Sequence, residues 1–222
     1  MYTSTIGKTF LNAYNKRNNT SYSAESFFKE IYIPLFFDHP KYMMTAGNSP
    51  IENPKLSWDD MIKGKKPFES PEKRAERIAK MYQKIKNESP SDTIARGYPV
   101  ADDTAGTSGQ KTNIVRNNNK DEIYLSWIGE GLAIGVSGGI SILFDNEEIL
   151  LDIYEGWKYY RQWLEEMPML KGNQINTWNG QWITHRYDRN YDELDPMLGY
   201  NPLTTTDNTN DVFSIPTISW VK

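Results

Sequence analysis

Residues 122–144, EIYLSWIGEGLAIGVSGGISILF, decide how the chain is read. β-branched and aromatic residues dominate, and glycines break the run twice. The stretch reads as three strands, 122–128, 131–136 and 140–144, with Gly129–Glu130 and Gly138–Gly139 at the reversals. A second sheet signal follows in residues 173–187, NQINTWNGQWITHRY, where Asn179–Gly180 between two β-prone runs is the strongest hairpin signal in the chain. Residues 212–221, VFSIPTISWV, read as an edge strand, because Pro216 has no N–H for an interior ladder.

Outward from these strands the pattern turns helical. Between them, residues 147–166 place Ile149, Ile153, Trp157, Tyr160 and Leu164 on one helix face, and Pro168 stops the helix. Upstream, Ile6, Phe10, Leu11 and Tyr14 mark a helix over 3–17. Ser23 caps a second in SAESFFKEIYI that Pro34 ends or kinks, and Ser57 caps a short third at WDDMIKG. The clearest helix has Ser70 as N-cap, Pro71 as first residue and an apolar face of Ala75, Ile78, Ala79, Tyr82 and Ile85, up to about Asn87. Helices before strands favour an α+β class, a helical N-terminal half followed by a mostly antiparallel sheet with a packed helix. One domain over 1–222 is expected, with a helical, basic part over about 1–90, a polar loop over about 89–119 and a sheet-containing, acidic part over about 120–222.

The net charge of -4 conceals an asymmetry. Residues 1–111 hold 17 Lys/Arg and 13 Asp/Glu, whereas residues 112–222 hold 8 and 16, so the first half is the one suited to a polyanion. The absence of cysteine excludes disulfides, thiol nucleophiles, Fe–S clusters and thiolate zinc sites. No apolar window approaches the roughly 20 residues of a membrane helix, and the opening residues lack the apolar centre of a signal peptide, so a cytoplasmic, aromatic-rich protein with no membrane partner is expected.

The sharpest functional feature is a basic stripe, Lys73, Arg77, Lys80 and Lys84 at i, i+4, i+7 and i+11, opposite the apolar face of the 71–87 helix. Residues 63–86 hold nine basic side chains against three glutamates, an arrangement able to neutralise nucleic-acid phosphates. A solvated helix face is the competing reading. Trp178 and Trp182, followed by Arg186, are candidates for stacking on bases if exposed, and are otherwise core residues with satisfied indoles. The leading expectation is a nucleic-acid-binding protein, DNA-binding or RNA-binding, or a subunit of a nucleic-acid-processing complex.

Two alternatives stand beside it. A metal-dependent nuclease or phosphodiesterase would draw on Asp145, Glu147, Glu148, Asp152 and Glu155, or on His185 with Asp188, Asp192, Glu193 and Asp195, and would use Mg²⁺. The first group lacks the companion lysine of a Glu-x-Lys, and Glu147 and Glu148 suit a helix N-terminus; the second lacks the spacing of a compact ligand motif, so no metal ligand or catalytic residue is assigned. A non-catalytic interaction or scaffold protein would use its many aromatics to meet a protein partner or a second copy of itself. Gly7-Lys8-Thr9 and GTSGQKT (106–112) lack the spacing of a phosphate loop, and Gly129, Gly131 and Gly135 deviate from a dinucleotide fingerprint.

Overall fold

In the computed structural model, residues 2–44, 51, 58–87, 120–207 and 210–220 are described. The chain begins with α1 (Tyr2–Asn18) and a helical run made of α2 (Ala24–Phe27), a π-helical turn (Phe28–Tyr32) and α3 (Ile33–Phe36). After α4 (Trp58–Ile62) and α5 (Pro71–Asn87) come α6 (Lys120–Gly131), β1 (Ile134–Val136), β2 (Ile140–Ile142), α7 (Glu147–Glu166), α8 (Ile175–Arg186), β3 (Thr204–Asp207) and β4 (Asn210–Ser214). Helices predominate, and β1 pairs with β2 and β3 with β4 in two separate antiparallel sheets, so the class is α+β. The polar stretch expected over 89–119 lies outside the described residues.

The first strand expected in residues 122–144 is a helix. Asp121 and Glu122 open α6, where carboxylates favour the positive end of the helix dipole. Ile123, Tyr124, Ser126, Trp127, Ile128, Gly129 and Gly131 are all buried, so α6 is apolar almost all round and carries no amphipathic period. That is why its β-prone residues dominate a sequence reading. Gly129 is no reversal either, since it lies where α6 crosses α1. A Cβ at Gly129 would sit 1.9 Å from the Thr3 carbonyl oxygen, and one at Gly7 would sit 2.0 Å from that of Leu125. Each helix thus presents a glycine to the other's backbone. The other reversal lies where it is expected, Gly138 (φ 96°) and Gly139 (φ 75°) turning β1 into β2 with Val136 opposite Ile140, although the two strands are shorter than the expected 131–136 and 140–144.

The Asn179–Gly180 hairpin is also corrected, because both residues are internal to α8. Gly180 is needed for close approach: a Cβ there would lie 2.9 Å from Ile218 Cγ2 and 3.1 Å from the Gly135 carbonyl oxygen. Asn179 is fully buried, and its amide nitrogen donates to the carbonyls of Gly131 (2.8 Å) and Ala133 (2.9 Å), while its amide oxygen accepts from Trp157 Nε1 (3.2 Å). The dipeptide that signals a turn locally therefore ties α8 to α7 and to the link between α6 and β1.

The other helices follow their sequence signals. Asn19 (φ 52°) terminates α1 in the left-handed region, Ser23 caps α2 by accepting from the Ser26 N–H, and Asn146 caps α7 by accepting from the Ile149 N–H. Pro34 does not end the second helical run. It cannot give an N–H to the Glu30 carbonyl, and the preceding turn is π-helical, with the Ile33 N–H donating to the Phe28 carbonyl before the run continues to Phe36. The segment expected as one edge strand divides at Pro216: Asn210–Ser214 forms β4, and Ile218 makes an isolated parallel bridge to Val136. The aromatic centre of the core joins Phe10, Tyr32, Phe36, Trp127 and Trp157, all essentially buried, between α1, α6 and α7.

Candidate nucleic-acid interface

Helix α5 is capped as its sequence indicates, with the Ser70 hydroxyl accepting from the Lys73 N–H at 3.4 Å. Its orientation is turned slightly from the expected one. Arg74, Met81 and Ile85 face inward with Ile78 and Tyr82 half-buried beside them, whereas Ala75 and Ala79 are exposed. Larger side chains gain more from burial than alanines, so they set the rotation. Arg74 belongs to the inward face and is anchored there, its Nη1 donating to the Glu69 carbonyl (2.7 Å) and its Nε lying 3.7 Å from Asp38 Oδ1.

The basic stripe is therefore not uniform. Lys73 is exposed. Arg77 donates through Nε to the Glu69 carboxylate, which also accepts from the Tyr42 hydroxyl (2.7 Å) and whose side chain is only 6% exposed. Burial, then this hydrogen bond and the Glu69 charge, pushes the Tyr42 phenol well above its ordinary pKa. Arg77 serves a structural ion pair. Lys80 pairs with Glu76 at 2.8 Å, both side chains being exposed, and the lysine hydrogen bond holds Glu76 below the usual carboxylate range. Lys84 is half-buried, whereas Lys65, Lys66 and Lys86 are exposed. Lys66 pairs with Asp60 at 2.9 Å. The exposed cations of α5 and the turn before it are Lys65, Lys66, Lys73, Lys80 and Lys86.

Trp178, Trp182 and Arg186 do not join this face, since α8 packs on α7 and β1 while α5 packs on α6. Both tryptophans are 0% exposed and stack on each other with ring planes 4° apart. Their Nε1 atoms donate to the carbonyls of Gly156 (2.9 Å) and Asp152 (2.8 Å). No ring face is left for a base, and the core alternative describes these residues. Arg186 lies over the Tyr191 ring at 4.5 Å, with its Nε 3.5 Å from Asp152 Oδ1 and its Nη1 3.4 Å from Glu193 Oε1.

Three of the carboxylates considered for metal chemistry are held by other side chains. Asp145 accepts from the Thr9 hydroxyl (2.7 Å), Asp152 from the Tyr187 hydroxyl (2.9 Å), and Glu155 from Lys158 (3.2 Å). Among the described residues no three His, Asp or Glu side chains gather as a metal-holding group. His185 Nε2 lies 2.9 Å from the Pro196 carbonyl oxygen, with its ring stacked on Tyr200. His39 Nδ1 accepts from the Lys41 N–H (3.0 Å), and burial lowers its pKa to about 4, so it is neutral at pH 7.

Comparison with protein families, curated proteins and solved structures finds no match in any of the three. Function is therefore read from the chemistry of the surfaces themselves. One surface escapes the sequence reading, a cleft where Pro34 and the π-helical turn meet α1 and α7. Its signal was Pro34, a helix breaker inside a helical pattern.

Proposed function

We propose that the protein binds nucleic acid, by itself or as a subunit of a nucleic-acid-processing complex, through phosphate contacts made by α5 and the turn before it. The observation that supports this reading is the way α5 is seated. Its apolar residues and Arg74 face the body, while Lys73, Lys80 and Lys86 project outward, with Lys65 and Lys66 exposed on the preceding turn. Interactions of this kind neutralise phosphates without reading bases, so binding is expected to be sequence-tolerant and to weaken steeply with salt. Removing one lysine–phosphate interaction should reduce the slope of log K against log salt by about 0.9 for duplex DNA and about 0.7 for a single strand.

The test is fluorescence anisotropy with labelled single- and double-stranded DNA and RNA at low and moderate salt, using wild type and a Lys65/Lys73/Lys80/Lys86→Gln variant. These side chains are exposed and Arg77 is retained, so the fold is left intact. Loss of binding together with a shallower salt slope supports the reading; wild-type affinity indifferent to salt removes it. Mg²⁺ in a parallel arm, with and without chelator, tests cleavage by the nuclease alternative.

One observation favours the protein-interaction reading. Trp220 is 39% exposed, packs on Phe144 with ring centroids 6.4 Å apart, and donates through Nε1 to the Thr184 hydroxyl at 3.0 Å. An oriented, partly exposed tryptophan suits a partner surface. Sedimentation of wild type and Trp220→Ala over a range of concentrations tests self-association through it.

A further inference from the structure

Between the C-terminal part of α1, the π-helical turn with α3, and α7 lies an open cleft of about 580 Å³. That volume falls in the range of small-molecule sites, which typically span about 300–1,000 Å³. Ile31, Pro34 and Leu35 form one side of its apolar lining and Leu151 the other. Tyr14 and Tyr154 add aromatic surface, with ring centroids 5.3 Å apart and edge-to-face.

Three acids and three bases rim the cleft, and four of the six are already paired with one another. Lys158 pairs with Glu155 at 3.2 Å and Arg161 with Glu165 at 2.8 Å. Arg161 is further fixed by donating to the carbonyls of Leu35 (2.9 Å) and Asp38 (3.1 Å), which ties α7 to α3. Arg17, near the end of α1, and Glu30, on the π-helical turn, form no ion pair among the described residues. The two remaining charges are opposite in sign and belong to different walls. The π-helical turn places Glu30 and its neighbour Ile31 on the cleft together, and such turns recur at functional sites.

We propose that this cleft binds a small zwitterion with an apolar body, of the class of hydrophobic amino acids and short peptides. The apolar body rests on Leu35 and Leu151, the anionic end meets Arg17, and the cationic end meets Glu30. Helix α5 contributes nothing to the cleft, so the inference stands apart from nucleic-acid binding.

The probe is the dipeptide leucyl-leucine, compared with its N-acetylated and C-amidated forms by ligand-observed NMR titration. Leucyl-leucine is expected to bind saturably, and removing either terminal charge to weaken it roughly tenfold, as expected when a charge-assisted hydrogen bond is removed. Arg17→Gln should weaken the free dipeptide and leave the amide unchanged, while Glu30→Gln should weaken the free dipeptide and leave the acetylated form unchanged. Both side chains are exposed, and circular dichroism verifies that the variants fold. No saturable binding at millimolar concentration, or affinity indifferent to both end groups, overturns the proposal.

Discussion

Replacing Gly129 by Ala tests the tightest glycine contact among the described residues. The new methyl would lie 1.9 Å from the Thr3 carbonyl oxygen, against an ordinary contact of 3.4 Å or more, so α1 and α6 must separate by roughly 1.5 Å at their crossing. The obstructing atom is helix backbone and cannot rotate aside. Separation loosens the packing of α1 on α6, and gaps of 0.5–1 Å already forfeit about a quarter to a half of each contact's attraction. Overpacking typically costs about 1–3 kcal/mol and sometimes more, while alanine regains up to about 1 kcal/mol of helix propensity. Because the obstruction is fixed backbone the cost lies at the upper end, about 3 kcal/mol or more, which leaves a net loss of about 2–3 kcal/mol, or about 4–12 °C in Tm for a chain of this size. Urea unfolding followed by far-UV circular dichroism measures it. Gly7→Ala meets the Leu125 carbonyl at 2.0 Å in the same crossing, so the double variant should cost less than the two singles together, because the first separation makes room for the second methyl. A Gly129→Ala protein as stable as wild type, or strict additivity in the pair, would refute the tight crossing.

Arg77→Gln should cost about 1–3 kcal/mol in urea unfolding by leaving the nearly buried Glu69 carboxylate without its cation, yet change nucleic-acid affinity little. Asn179→Leu removes three hydrogen bonds and leaves the Gly131 carbonyl and the Trp157 indole N–H without this partner, the Ala133 carbonyl keeping its bond from Asn176, so at least about 2 kcal/mol should be lost, whereas Asn176→Leu at the half-buried neighbouring site should cost less. His39, with its pKa lowered to about 4 by burial, binds its proton in the unfolded chain first. Stability is therefore complete above about pH 6.5 and falls towards about pH 4, and His39→Gln should flatten the decline between pH 6.5 and 5, before carboxylates contribute. Lys41 is buried with its ammonium donating to the Met167 carbonyl at 2.7 Å, and burial lowers its pKa to about 8. Between about pH 8 and the ordinary lysine value the unfolded chain holds the extra proton, so wild-type stability relative to Lys41→Met should rise with pH across that window.

The elements legible from sequence alone are those whose signal is local and redundant. Helices α5 and α7 combine a cap at Ser70 or Asn146 with an apolar face against solvent, and the β1–β2 turn needs the positive φ that Gly138 and Gly139 supply. Of the four stripe residues, the outward position of Lys73 and Lys80 was legible from the amphipathic pattern, whereas Arg77 and Lys84 are half-buried because the larger inward side chains turn the helix. The sequence could not reveal that Arg74 is an anchor or that Arg77 belongs to Glu69, because Asp38 is distant in the chain and the Glu69 side chain, just ahead of the cap, is placed by its burial against Tyr42. Helices α6 and α8 depended on tertiary structure altogether. Buried on nearly every side, they show no period, and their Ile, Tyr, Trp and Asn-Gly residues carry strand and turn preferences. Packing overrides these preferences: Gly129 fits only against the backbone of α1, Gly180 only beneath Ile218, and Asn179 finds its partners only once α7, α8 and β1 have come together.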